Sequence, residues 1–237
     1  MMRKLLFAFV LVLASACVNA QDAEKPKQDS KPVLPLEKQL VETNNQIVLK
    51  TFKYDEQLHR ELFLKALDIW AFGTQDKNID IPTATEVATE GMLNLYPGVA
   101  EKLAEIVQNE KVDMEKRGDA LHYLALSGDK RFFAIYKKML ATNNDAFKYE
   151  SLGGLAILGD KESVGIISNS ALAEKDGKIQ NEAMTLIQLS KPLNEALDRK
   201  LPAAQRKKAI KKLRESGTAT GKCVIEKITF TEPDLLK

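Results

Sequence analysis

The side chains that could attack an electrophile, relay a proton or hold a metal are few: two cysteines, two histidines and scattered carboxylates. Neither His59 nor His122 has a partner at metal-ligand spacing, and both fall within helical patterns, so both are expected to be structural. No HExxH, CxxC or GxSxG run occurs. Residues 217–223, GTATGKC, mimic a phosphate-binding loop. The run is one residue short, puts Cys223 where a magnesium-binding hydroxyl is required, and follows a helical segment instead of a strand. Cys223 and a sequence-distant histidine form a dyad on paper only. A single thiol of this kind is expected to be a small buried apolar residue. Carboxylate pairs such as Glu101 and Glu105 stand at helical spacing, where solvated charge is the default. The expectation is therefore no catalytic residue, no cofactor and no metal.

The elements that would position any site are written in a repeat. Residues 120–130 read ALHYLALSGDK and residues 151–161 read SLGGLAILGDK. They share Leu121/Leu152, Leu124/Leu155, Ala125/Ala156, Gly128/Gly159, Asp129/Asp160 and Lys130/Lys161 at one fixed offset of about 31 residues. Ala183, Leu186 and Leu189 continue the register more loosely, and Leu93 and Leu95 suggest a degenerate earlier copy. In each unit the leucines make one apolar helix face, a glycine ends the helix, and an aspartate caps the next one. The pattern predicts antiparallel helix pairs that bury their apolar sides only by stacking on neighbours.

Arg117, Ala120-Leu121, Leu124-Ala125 and Leu158-Gly159-Asp160 together resemble the short HEAT repeat of the bilin-lyase type, over residues 85–200. Tyr149 stands where the second copy would carry the arginine, and Ser190-Lys191 replaces Gly-Asp in the third. The resemblance implies an all-α, right-handed α-solenoid. It also implies a protein-binding surface more than a reaction, because most such proteins are scaffolds and only some are lyases.

The first twenty residues have the form of an export signal: Arg3 and Lys4, an apolar run over 5–14, and small residues before Gln21. Two cuts remain open. One follows Ala20 and frees a soluble chain. The other precedes Cys17, which would then carry lipid and anchor the protein. The expected location is the periplasm in either case. No later apolar run is long enough to span a membrane. The chain has 35 basic and 33 acidic residues, and the leader holds two of the basic ones, so the remainder is near neutral and a broad nucleic-acid role is not supported. With Cys17 removed or lipidated, Cys223 has no intramolecular disulfide partner.

In order, residues 21–35 read as a disordered linker rich in Lys, Asp, Gln and Pro. Residues 36–216 read as the helical repeat domain, and 217–237 as a tail. Near the start of the repeat domain, 47–54 could be a strand instead of a helix end. The β-branched run 222–230 reads as a short strand, and 47–53 is its one visible partner, giving a small terminal β element. Pro192 is expected in the first turn of a short helix over 191–201. A following helix, 203–215, is strongly basic. Arg206, Lys207, Lys208, Lys211 and Lys212 are either the solvated cap of the solenoid or an anion-binding surface for lipid head groups or an acidic partner.

Three functions stay open at this stage. The first is a non-catalytic exported scaffold holding a protein partner on its concave surface. The second is an envelope anion or lipid-surface binder using the basic helix, and the third is a hydrolase- or lyase-like enzyme.

Overall fold

The computed structural model describes residues 34–236. The export signal over 1–20, Cys17 and nearly all of the linker over 21–35 lie outside the described residues. Eleven α-helices and no strand are found among them. The first four are α1 (Leu36–Val48), α2 (Glu56–Phe72), α3 (Ile81–Asn94) and α4 (Val99–Gln108). Next come α5 (Met114–Ala125), α6 (Phe133–Leu140), α7 (Asp145–Leu158) and α8 (Lys161–Ala173). The last three are α9 (Gly177–Leu197), α10 (Ala203–Ser216) and α11 (Ala219–Thr231).

Local signals start and stop these helices. Asp55, Asp80, Asp113, Asn144, Asp160 and Asp176 each accept a backbone N–H of the first turn they precede. Gly159 and Gly217 end α7 and α10 with φ of +67° and +64°, a conformation costly to any residue carrying a Cβ.

The repeat register translates into burial. Leu121, Leu152 and Ala183 occupy equivalent sites on α5, α7 and α9, as do Leu124, Leu155 and Leu186, and all six are fully buried. α5 packs on α7 and α7 on α9. α4 lies against α5, α6 against α7, α8 against α7 and α9, and α10 against α9. A second repeated device closes the ends of the supporting helices. Arg117 Nε donates to Val107 O at the end of α4 (2.9 Å), Gln180 Nε2 to Ala171 O near the end of α8 (2.9 Å), and Arg206 Nε to Ala196 O at the end of α9 (3.0 Å). Each satisfies a carbonyl that the helix leaves without an internal donor. The earlier copy keeps a different register. Leu93 and Leu95 are only half-buried, and α3 buries Val87, Ala88, Gly91 and Met92 instead.

Three expectations are corrected. The terminal β element is absent among the described residues: 222–230 belongs to α11, and 47–48 ends α1 ahead of a turn. The β-branched run misleads because its buried positions are Val224, Lys227 and Ile228, which follow helical spacing, and Thr218 caps the helix by accepting from Gly221 N at 3.2 Å. Pro192 does not open a helix but lies buried inside α9. Side chains on both sides of it hold the helix to the end of α7: Ser190 Oγ donates to Ala156 O (2.9 Å) and Asn194 Nδ2 to Ile157 O (3.1 Å). These tertiary bonds offset the missing proline N–H.

The C-terminal helix does more than cap the stack. α11 packs on α3, α9 and α10, and its buried Lys227 sends Nζ to Leu126 O at the end of α5, 2.9 Å away. At the other end of α11, Thr220 stands beside Gly153 of α7. Burial, with Arg199 nearby, pulls the Lys227 ammonium down from 10.5 to about 8, against a smaller opposing effect of Glu232. A lysine depressed in the fold binds fewer protons folded than unfolded, so its penalty is full below about pH 8 and is relieved as pH rises toward 10.5. The native chain should therefore gain about 2 kcal/mol relative to Lys227→Met between pH 8 and 10, measured by urea unfolding at stepped pH. The comparison must be against this variant, because other groups titrate in the same window.

Candidate functional site

The outward flank of α5 carries Glu115, Gly118, Asp119 and His122, and the facing flank of α7 carries Ala146 and Glu150. Between them runs a groove of about 500 Å³, with Met114 and Asn144 at its end. Helical spacing puts each set on one face: Gly118 and Asp119 each lie three or four residues from Glu115 and from His122, and Ala146 lies four from Glu150. The acids come from the repeat itself. Asp119 and Glu150 sit at the 31-residue offset, each one position before the small residue that opens the shared block, Ala120 or Ser151. Glu182 of α9 follows one position out of register, is half-buried, and lines a second, smaller cavity next door.

His122 joins the two spaces. Its Nδ1 lies 2.8 Å from Glu150 Oε2, with 29% and 34% of the two side chains exposed. An ionised carboxylate can only accept, so the ring donates at Nδ1 and keeps Nε2 for another neighbour. The second cavity, about 70 Å³, is bounded by His122, Glu150, Gly153, Glu182, Thr220 and Cys223, among others. Burial works against a charged imidazole, but the Cys223 thiol and the Glu150 carboxylate outweigh it and push His122 up to about 10. Glu182 is raised by burial, and Asp119 by burial first and then by Glu115. The groove is thus lined by carboxylates of both helices, Glu115, Asp119 and Glu150, with His122 beside them.

The residues singled out in the sequence fall in different places. His59 accepts from Asp55 N at 2.9 Å and packs edge-on to Phe52, so it serves the turn into α2. Glu101 pairs with Arg131 (2.9 Å) and Glu105 with Lys102 (3.4 Å) on the surface. The phosphate-loop lookalike spans the turn between α10 and α11, where Gly221 N is already bound by Thr218. Lys207, Lys208, Lys211 and Lys212 are exposed along α10. Arg206 is corrected: it is 5% exposed, and its guanidinium binds both carboxylate oxygens of Glu232 at 2.7 and 2.9 Å. It faces inward because it shares the helix face of Ala209, Ile210 and Leu213, so it belongs to the core and not to an anion surface.

Sequence reasoning passed over the meeting of His122, Glu150 and Cys223. Each comes from a different helix, and the β-branched run at 222–230 suggests a strand where α11 stands. The signal available was the acid recurring at the repeat offset, Asp119 and Glu150, which marks one flank of successive helices. Among the described residues, no group of three or more His, Cys, Asp or Glu side chains is arranged to hold a metal ion. No helix among them is long and apolar enough to cross a membrane. Protein-family models give no match to the chain, and curated proteins give no similar sequence.

Proposed function

We infer that this is a non-catalytic, exported HEAT-like scaffold that binds a protein partner on the concave surface formed by α5, α7 and α9. The observation that carries this reading is the acid-lined groove between α5 and α7, open while α11 covers the neighbouring part of the same helices. A groove with Glu115, Asp119 and Glu150 along it fits a basic, extended or helical segment of the partner. The 31-residue burial register supports the stacked-pair architecture. Export and retention in the periplasm rest on the leader over 1–20, and the mass of the mature N-terminus distinguishes a chain beginning at Gln21 from one lipidated at Cys17.

A short labelled lysine-rich peptide tests the groove. Its affinity should fall with added salt, and it should weaken about tenfold in Glu115→Gln/Asp119→Asn, a loss of about 1.4 kcal/mol. The surface variant Glu101→Gln/Glu105→Gln should leave it unchanged. Equal weakening in both variants would assign the binding to overall charge and remove the groove from the account.

The exposed lysines of α10 favour a second reading, an anionic envelope surface as the partner. Among the described residues, the ion pair made by these lysines is Lys211 with Glu215, at 3.9 Å. Co-sedimentation with anionic vesicles should be salt-sensitive and lost on Lys207/Lys208/Lys211/Lys212→Glu. Retention by that variant would discard this reading.

A further inference from the structure

Lys191 of α9 and Lys208 and Lys212 of α10 line a groove of about 290 Å³ between the two helices. Lys208 and Lys212 are one turn apart and share a face of α10. Buried Pro192 and Ala209 also line the groove, and their short side chains leave the space open. It holds one carboxylate, Glu195, which lies 3.7 Å from Lys191 Nζ and accepts from Gln205 Nε2 at 3.1 Å. Among the described residues, neither Lys208 nor Lys212 has an ion-pair partner. Like charges one turn apart on a helix repel, and an anion seated between them would offset that. Packing asks for none of the three lysines, since all are exposed.

Charge selects the ligand. Three ammonium groups against one carboxylate leave the groove with about two positive charges to be met. A phosphomonoester carries a charge of about −1.5 to −2 at neutral pH and offers three acceptor oxygens, as many as there are lysines. A phosphodiester or a carboxylate brings one charge and two free oxygens, and leaves one ammonium without a partner. Lysine meets phosphate as a point charge and needs no planar fork to do so. Lys207, Lys211 and Arg214 are exposed on the same helix but do not line the groove, so they add general attraction for anions without shaping a site.

We propose that the groove between α9 and α10 is a binding site for a phosphomonoester, with Lys191, Lys208 and Lys212 donating to the phosphate and Glu195 limiting the charge the site accepts. The inference rests on the premise of the second reading above, that the lysines of α10 meet an anion. It narrows that premise to one head-group chemistry and one place, and it brings in Lys191, which belongs to the neighbouring helix. The same phosphate can be presented by a lipid head group or by a small soluble ester, and the experiment separates the two.

The test uses the chain from Gln21, which keeps every described residue. Phosphatidylcholine vesicles carrying phosphatidic acid, a phosphomonoester, are compared in co-sedimentation with vesicles carrying phosphatidylglycerol, a phosphodiester, at matched surface charge. The chain should bind the first about tenfold more tightly. Lys191→Gln/Lys208→Gln/Lys212→Gln should abolish that preference. Lys207→Gln/Lys211→Gln/Arg214→Gln removes the same charge from outside the groove, and should weaken binding to both vesicles alike while keeping the preference. All six side chains are exposed, so both variants should fold. Glycerol 3-phosphate, titrated by calorimetry, should bind the chain and not the groove variant. If it does so while the vesicles show no preference, the site stands with a soluble ester as its ligand and the surface reading is discarded. A preference that survives in the groove variant, or the absence of both the preference and glycerol 3-phosphate binding, overturns the site. Salt-sensitive vesicle binding that persists in that last case leaves the second reading standing without it.

Discussion

Arg206→Ala is expected to destabilise the protein by about 3–4 kcal/mol, the lower part of the range for breaking a buried ion pair, because Glu232 keeps some contact with water. The arginine side chain is 6% exposed and the glutamate 26%. Three bonds go at once: both contacts to the Glu232 carboxylate and the Nε donation to Ala196 O. The carboxylate left behind keeps its bond to Arg199, at 3.1 Å on the exposed side. The damage should concentrate where α11 meets α10, so hydrogen exchange there should rise before that in α5 and α7. Glu232 gives the loss a pH signature. Arg206 holds its carboxyl below the ordinary glutamate range, against burial and with help from Arg199. A depressed acid contributes stability that is full above its unfolded value and is lost as pH falls through the folded one. Urea unfolding between neutral and acid pH should show this loss in the native chain and not in Glu232→Gln. Arg206→Met/Glu232→Leu should recover most of the stability at neutral pH, since an apolar pair leaves no stranded charge.

Gly154→Val is expected to cost about 3 kcal/mol, the upper end of ordinary overpacking. Gly154 lies in the middle of α7, where glycine is unfavourable by about 1 kcal/mol relative to alanine. The reason it is there is Tyr136. A Cβ on Gly154 would stand 2.9 Å from two ring carbons of that tyrosine, which has no exposure and donates its hydroxyl to Leu124 O at 2.9 Å. The ring is enclosed by α5 and α7 and pinned at its tip, so it has nowhere to go. Tyr136→Ala alone should be costly through the cavity it opens, about 3–5 kcal/mol. In Tyr136→Ala/Gly154→Val the new side chain fills part of that cavity, and the two losses should add to less than their sum. Thermal melts of the four chains measure the coupling, and strict additivity would show that the ring and Gly154 do not share the space.

Much of the architecture could be read from residue spacing. The shared leucines gave the buried rows of α5, α7 and α9, and Asp129, Asp160, Gly159 and Gly217 took the cap positions their chemistry suits. Arg117 was visible as a repeat residue, whereas its counterparts were not, because Gln180 and Arg206 do the same job from other registers. The failures share one cause. Local preference favours a strand at 222–230 and a helix start at Pro192, and in both places contacts from distant segments decide otherwise. The candidate site was the least legible part. The pairing of His122 with Glu150 depends on the stacking of α5 on α7, and the approach of Cys223 depends on a helix that folds back over both.

That return of the last helix has a consequence for how the chain reaches its native state. Lys227 closes on Leu126, a hundred and one residues earlier. Helices close in sequence, such as α4 with α5, α5 with α7 and α7 with α9, can pack one after another as the polypeptide emerges from its N-terminus. The final segment has to search back across several completed neighbours, a step of high sequence separation and therefore slow. Until it arrives, the apolar rows it will cover stay wet, and during that interval the newly made protein is most open to self-association or to capture by a chaperone.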